Sequence, residues 1–157
     1  MKLLDIKNNS VIKAIIGTTL ISSSVVAAPA IWDGSADVSW YESSAQAYNL
    51  TTAEQLAGLA KLVNEGKTFS GKTITLGADI FLNDTTGFNS DSWTKQSRNK
   101  WIPIGTSSRP FTGELDGLAG KNNRKIYGLY INDASKSYAG LFGYAKDGFV
   151  VFLIVGS

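Results

Sequence analysis

The sequence predicts an all-β body built as a short solenoid of stacked strands, with one helix near its start. Three observations point there. Seventeen aromatic residues and 16 glycines stand beside only 3 prolines, a balance that favours strands and tight turns. Beyond residue 68 the apolar residues follow a period of two in short runs broken by Gly, Asn, Asp, Ser and Pro, too many turn signals for helices. Gly128-Leu129-Tyr130 and Gly140-Leu141-Phe142 then repeat one pattern 12 positions apart. A repeated unit too small to bury its own apolar side is stabilised by stacking, with each Leu or Ile set over its equivalent in the next pass.

Residues 1–30 read as a secretory signal. Lys2, Lys7 and Lys13 form a positive start, an apolar stretch from Ala14 to Val26 is broken by Ser and Thr, and Ala28-Pro29-Ala30 is a small-x-small cleavage site. Cleavage is expected after Ala30, because a cut after Ala28 would leave Pro29 where a peptidase must hold the backbone. The uninterrupted apolar run falls well short of the roughly 20 residues that span a bilayer. The mature chain is therefore expected to be secreted or at the cell surface, not membrane-embedded.

The signal carries three lysines against Asp5, which leaves 12 basic and 12 acidic side chains in the remainder. A neutral body with dispersed lysines has no electrostatic footprint for nucleic acid. The chain has no Cys and no His, which excludes disulfides, thiolate metal sites and the commonest general base. At 127 residues after the signal, the body fits a single modest core.

Residues 31–50 read as an irregular lead-in with one short strand, its alternation placed at Val38, Trp40 and Glu42. Over 51–66 the pattern is helical. Thr51 or Thr52 can cap, Glu54 and Gln55 stand three residues after them, Leu56, Leu59, Ala60 and Val63 form a stripe, and Gly66 stops the helix. A helix over 53–65 is predicted, capping the open end of the β body. Residues 67–157 make up that body. Strands are expected near 73–76, 79–82, 101–104, 111–115, 126–131, 139–142 and 149–155, with the polar 83–100 as a long loop.

That loop supplies the candidate ligand-binding residues Asp84, Asp91 and Trp93. Asp79, Asp84, Asp91, Glu114 and Asp116 could instead converge as carboxylates for sugar chemistry or Ca²⁺. Ordinary turn and ladder roles are the stronger expectation for them. Convergence of Asp79, Glu114 and Asp116 with Lys125 would point to an enzyme. Trp93, Trp101, Tyr130 and Tyr138 are the aromatics that could stack on sugars, with Trp101 and Tyr130 expected in the core. Gly117 to Lys121 fails as a phosphate loop, since Leu115 and Asn122 stand where Gly and a hydroxyl residue belong.

Several separated segments resemble one family. They are the run from Thr51 to Ala60, Leu76-Gly77-Ala78-Asp79-Ile80-Phe81-Leu82-Asn83, Trp101-Ile102-Pro103-Ile104-Gly105 and Gly140-Leu141-Phe142-Gly143-Tyr144. Together they look like bacterial cell-surface proteins carrying the GLUG motif. The resemblance covers most of residues 32–157. It implies a right-handed parallel β-helix of pectate-lyase-like shape, short or incomplete here, serving as a non-catalytic structural or adhesive module in the N-terminal part of a larger surface protein. It implies no cofactor or metal, and surface glycans or host or cell-envelope proteins as partners. A carbohydrate-binding or carbohydrate-active β-helix protein is the alternative. One departure stands out: Phe152 occupies a position where such repeats carry Asn. Val150, Val151, Phe152 and Leu153 form an uncharged stretch without Pro, which makes self-association through that strand an expectation.

Overall fold

The computed structural model describes residues 28–88, 90, 96–119, 122–133, 138–151 and 154–156. The signal core, Asp91, Trp93, Phe152 and Leu153 lie outside these residues. Among the described residues, nine short strands and one helix follow in the order β1 (Ala47–Leu50), α1 (Ala53–Asn64), β2 (Thr73–Leu76), β3 (Ile80–Phe81), β4 (Glu114–Asp116), β5 (Leu118–Ala119), β6 (Asn122–Asn123), β7 (Lys125–Tyr127), β8 (Phe149–Val151) and β9 (Ile154–Gly156). Most of the regular structure is strand, as the composition predicts.

Two open sheets carry the fold, and both are wholly parallel. The first has the order β1-β2-β4-β8 and the second β3-β7-β9. Parallel neighbours cannot be joined by a hairpin, so each pairing brings together residues from separate passes of the chain. A third line of contact runs through the parallel bridges Ile104 to Phe142 and Phe111 to Ala145. Antiparallel pairing among the described residues is confined to the small hairpin β5-β6 and the isolated bridge between Thr106 and Arg109. The hairpin interrupts the passage from β4 to β7, between the expected strands 111–115 and 126–131, where the sequence predicts no hairpin.

Period two sets the core. Tyr48 and Leu50 in β1, Ile74 and Leu76 in β2, and Leu115 in β4 are buried while their strand neighbours are not. Register stacks them: Tyr48 over Ile74 over Leu115, with Leu50 over Leu76, and Val150 takes the next register position. Ile80 over Ile126 does the same in the second sheet, with Val155 next in register. An aromatic column accompanies these ladders. Phe69 and Phe111 are fully buried with ring centroids 6.4 Å apart, and Phe142 follows Phe111 at 5.1 Å. Trp40, Tyr41 and Tyr48 pack around Phe69. Burial of Tyr48, with smaller effects from Tyr41 and Glu42, raises its phenol above the ordinary value, and its hydroxyl donates to the Glu42 carbonyl at 2.6 Å.

The helix starts at the second of the two candidate threonines. Thr52 is the N-cap, its hydroxyl accepting from the Gln55 N–H at 3.3 Å, while the Gln55 side chain reaches back to accept from the Thr51 N–H at 2.8 Å. This is a capping box whose return arm lands one residue early. Leu56, Leu59, Ala60 and Val63 are buried as their spacing predicts. Gly58 lies inside the helix because a Cβ there would fall 1.9 Å from the Asp37 carbonyl oxygen. The lead-in crosses at that point, with the Asp37 N–H donating to Glu54 O at 2.9 Å.

Several expected strands are shorter or elsewhere. The lead-in strand is Ala47–Leu50, not 38–42; there the chain turns instead, with Tyr41 N–H bonded to Val38 O and the Trp40 indole turned back on Asp37 O at 2.8 Å. The segments 101–104 and 139–142 meet in the single bridge Ile104 to Phe142. The single expected strand over 149–155 is two, β8 in the first sheet and β9 in the second. One straight strand cannot pair with both β4 and β7, which lie in different sheets.

Candidate functional site

The expected binding loop is closed by amides at its two ends. The Asn83 side chain is buried and accepts from the Asn99 N–H at 2.7 Å, while its NH₂ donates to Asn99 O at 3.1 Å and Gly128 O at 2.7 Å. The Asn99 side chain in turn donates to Trp32 O at 2.5 Å. Gly128 has φ +70, and a Cβ on it would meet Asn83 O at 2.4 Å, so only glycine fits this approach. The next residue, Asp84, is exposed and forms a turn, accepting from the Thr86 N–H at 2.8 Å. That backbone bond, with the Thr86 hydroxyl second, holds its carboxyl below the usual range. Asp91 and Trp93 lie outside the described residues.

The other carboxylates serve local structure. Asp116 accepts from the Leu118 N–H at 2.7 Å at the entry to the hairpin, and Asp79 accepts from the Lys125 N–H at 3.1 Å, tying the start of β3 to β7. Glu114 meets the Thr73 hydroxyl at 3.5 Å across the first sheet. Glu114 and Asp116 thus belong to the first sheet and Lys125 to the second, with Asp79 immediately before β3. Among the described residues no group of three His, Cys, Asp or Glu side chains is placed to hold a metal ion. Of the aromatics, Trp101 is in the core with its indole N–H on Leu141 O at 3.0 Å. Tyr130, expected in the core, is only half-buried, and the Arg98 guanidinium lies over its face at 4.1 Å. Tyr138 is 56% exposed beside Tyr144.

A glutamate, an aspartate and a lysine do meet in one place. Lys72, Thr73, Thr112, Glu114 and Asp147 line a depression of about 220 Å³ at the leading edge of the first sheet. The Lys72 amine is turned away from open solvent, donating to Ser43 O at 2.9 Å and to Ala45 O. Asp147 has φ 55, the one positive-φ residue other than glycine among the described residues.

Two adjoining apolar clefts lie apart from the residues that the sequence singles out. A cleft of about 360 Å³ opens between the lead-in, α1 and residues 100–102. Its buried lining is Trp32, Ala57, Ala60 and Trp101, and its exposed lining includes Ala36 with Lys61, Glu65 and Lys100. It exists because the helix presents small side chains there and the lead-in turns at Gly34 with φ +90. A second cleft of about 400 Å³, with exposed Ile102 and Tyr138 in its lining, adjoins it and shares Asn64 and Ile102. Asn64 joins helix to stack: its NH₂ donates to Pro103 O at 3.0 Å, its side-chain oxygen accepts from the Gly105 N–H at 2.9 Å, and its carbonyl accepts from Arg109.

No helix among the described residues is long and apolar enough to cross a membrane. Comparison of the chain with protein-family models, with curated proteins and with solved structures found no match.

Proposed function

We propose that this chain is an exported, non-catalytic module of a bacterial surface protein, a short right-handed parallel β-helix of the GLUG-motif type whose role is structural or adhesive. One observation carries the reading: the strands stack in parallel register, β1-β2-β4-β8 and β3-β7-β9, while Asp79, Asp84 and Asp116 are occupied by turns and inter-strand ties instead of converging. Cleavage after Ala30 would leave the first contacts of the mature chain intact. Ile31, the residue after the expected cleavage site, already bridges Phe81, and Trp32 N–H donates to Phe81 O at 2.9 Å. Surface glycans or host or cell-envelope proteins are the partners, and the uncharged stretch Val150, Val151, Phe152 and Leu153 is a route to self-association.

The test is twofold. Expressed in a bacterial host, the chain should reach the surface or medium with Ile31 as its first residue by N-terminal sequencing. Beads coated with it should adhere to cells or glycan arrays while degrading no polysaccharide in a panel. Retention of residues 1–30 on an intracellular product, or turnover of any glycan, contradicts the reading. The alternative, a carbohydrate-active protein, is favoured by Lys72, Glu114 and Asp147 in one depression. Under it, Glu114→Gln and Asp147→Asn abolish turnover or glycan binding without changing the melting temperature.

A further inference from the structure

We infer that the cleft between Trp32, α1 and Trp101 is a binding site for a small organic anion, an aromatic or short aliphatic body bearing a carboxylate. The inference goes beyond the structural and adhesive reading and does not depend on it. The cleft volume of about 360 Å³ falls in the range of small-molecule sites. What decides the ligand class is which polar groups remain available inside. The Trp32 indole N–H is spent on Ser35 O at 2.7 Å and that of Trp101 on Leu141 O at 3.0 Å. One N–H of the Asn64 amide is spent on Pro103 O, and its oxygen already accepts from the Gly105 N–H. The rest of the buried lining is Ala57 and Ala60. A sugar seated there would bury hydroxyls without partners, each costing about 1–3 kcal/mol. An apolar body loses nothing by entering and gains from leaving water.

The charged groups of the lining are all on its exposed part. Lys61 and Lys100 stand there against the single carboxylate of Glu65, a net positive mouth over an apolar interior. This arrangement complements a ligand whose ring or chain enters first and whose carboxylate stays at the mouth. Ammonium groups near a partly desolvated site hold such an anion better than they hold a neutral analogue of the same shape.

Isothermal titration of the full chain with 4-phenylbutyrate, 4-phenylbutanol and glucose tests the inference. Saturable one-to-one binding of 4-phenylbutyrate is expected, about tenfold tighter than 4-phenylbutanol, weakening as salt is raised, with no binding of glucose. Ala36→Phe, which fills the cleft from an exposed position, should abolish binding with the near-ultraviolet circular dichroism unchanged. Ala36→Leu does the same job if the larger ring disturbs the lead-in. The double variant Lys61→Gln, Lys100→Gln should bring the acid down to the affinity of the alcohol. No saturable binding of the acid, equal affinity for acid and alcohol, glucose binding that Ala36→Phe abolishes, or undiminished acid binding in both well-folded Ala36 variants would overturn it.

Discussion

In the first sheet, successive passes of the chain meet through buried apolar side chains, Tyr48 over Ile74 over Leu115, flanked by the Phe69–Phe111–Phe142 column. At the turn after β3 they meet through polar groups, Asn83 bonded to Asn99 and Gly128. The two regions hold neighbouring passes together by different physics. Where the chain is periodic, stacking identical environments buries apolar area cooperatively. Where the period breaks for a long loop, backbone N–H and C=O groups lose their sheet partners, and a buried amide with both a donor and an acceptor replaces them.

Truncation separates the two. Phe111→Ala should be the most damaging change, costing about 3–5 kcal/mol in denaturant unfolding, because a fully buried ring between Phe69 and Phe142 is lost and the strands cannot collapse into its space. At the amide corner, Asn83→Ala is expected to cost about 2–4 kcal/mol, since it leaves the Asn99 N–H and two carbonyls unpaired. The comparison sharpens with Asn83→Leu. Restoring apolar volume should recover almost none of the loss, whereas Phe111→Leu should recover much of it. Equal recovery at both sites would show that the corner is held by packing after all.

Smaller effects belong to the edges of both regions. Thr52→Ala should cost about 1 kcal/mol by removing the helix cap, with thermal melting as the readout. In the lead-in, Asp33 and Asp37 are held below the usual range by the Ser35 and Ser39 side chains and backbone, and Glu42 by the Ser44 backbone and hydroxyl. Depressed carboxylates stabilise above their unfolded pKa, and that contribution is lost as pH falls through the folded one. Acid should therefore lower the protection of the Ser35, Ser39 and Ser44 amides, measured against the intrinsic exchange rate at each pH, before it affects β2 or β4.

Much of this was legible in the sequence because periodicity is local. Thr73-Ile74-Thr75-Leu76 declares its buried face, and Leu56, Leu59 and Val63 declare a helix, whatever they pack against. The strand at Ala47–Leu50 was missed because Trp40 and Tyr41 carry a stronger apolar signal than Tyr48 and Leu50, yet their rings are used to pack around Phe69 from a turn. Asn83 looked like the first residue of a polar loop, since nothing local distinguishes a buried asparagine from an exposed one. The cleft was illegible for a related reason. Its lining comes from three segments, and a small residue such as Ala57 or Ala60 announces close packing as readily as an opening.

Parallel, in-register stacking is the claim on which the rest depends, and the absence of cysteine makes it directly measurable. Ala47, Thr73 and Glu114 share one register line across β1, β2 and β4. With spin labels on Ala47→Cys and Glu114→Cys in the full chain, the two backbone positions should lie two strand spacings apart, about 10 Å, giving strong dipolar broadening in the continuous-wave spectrum. An unbroadened spectrum, placing the labels more than roughly twice that spacing apart, would contradict the stack.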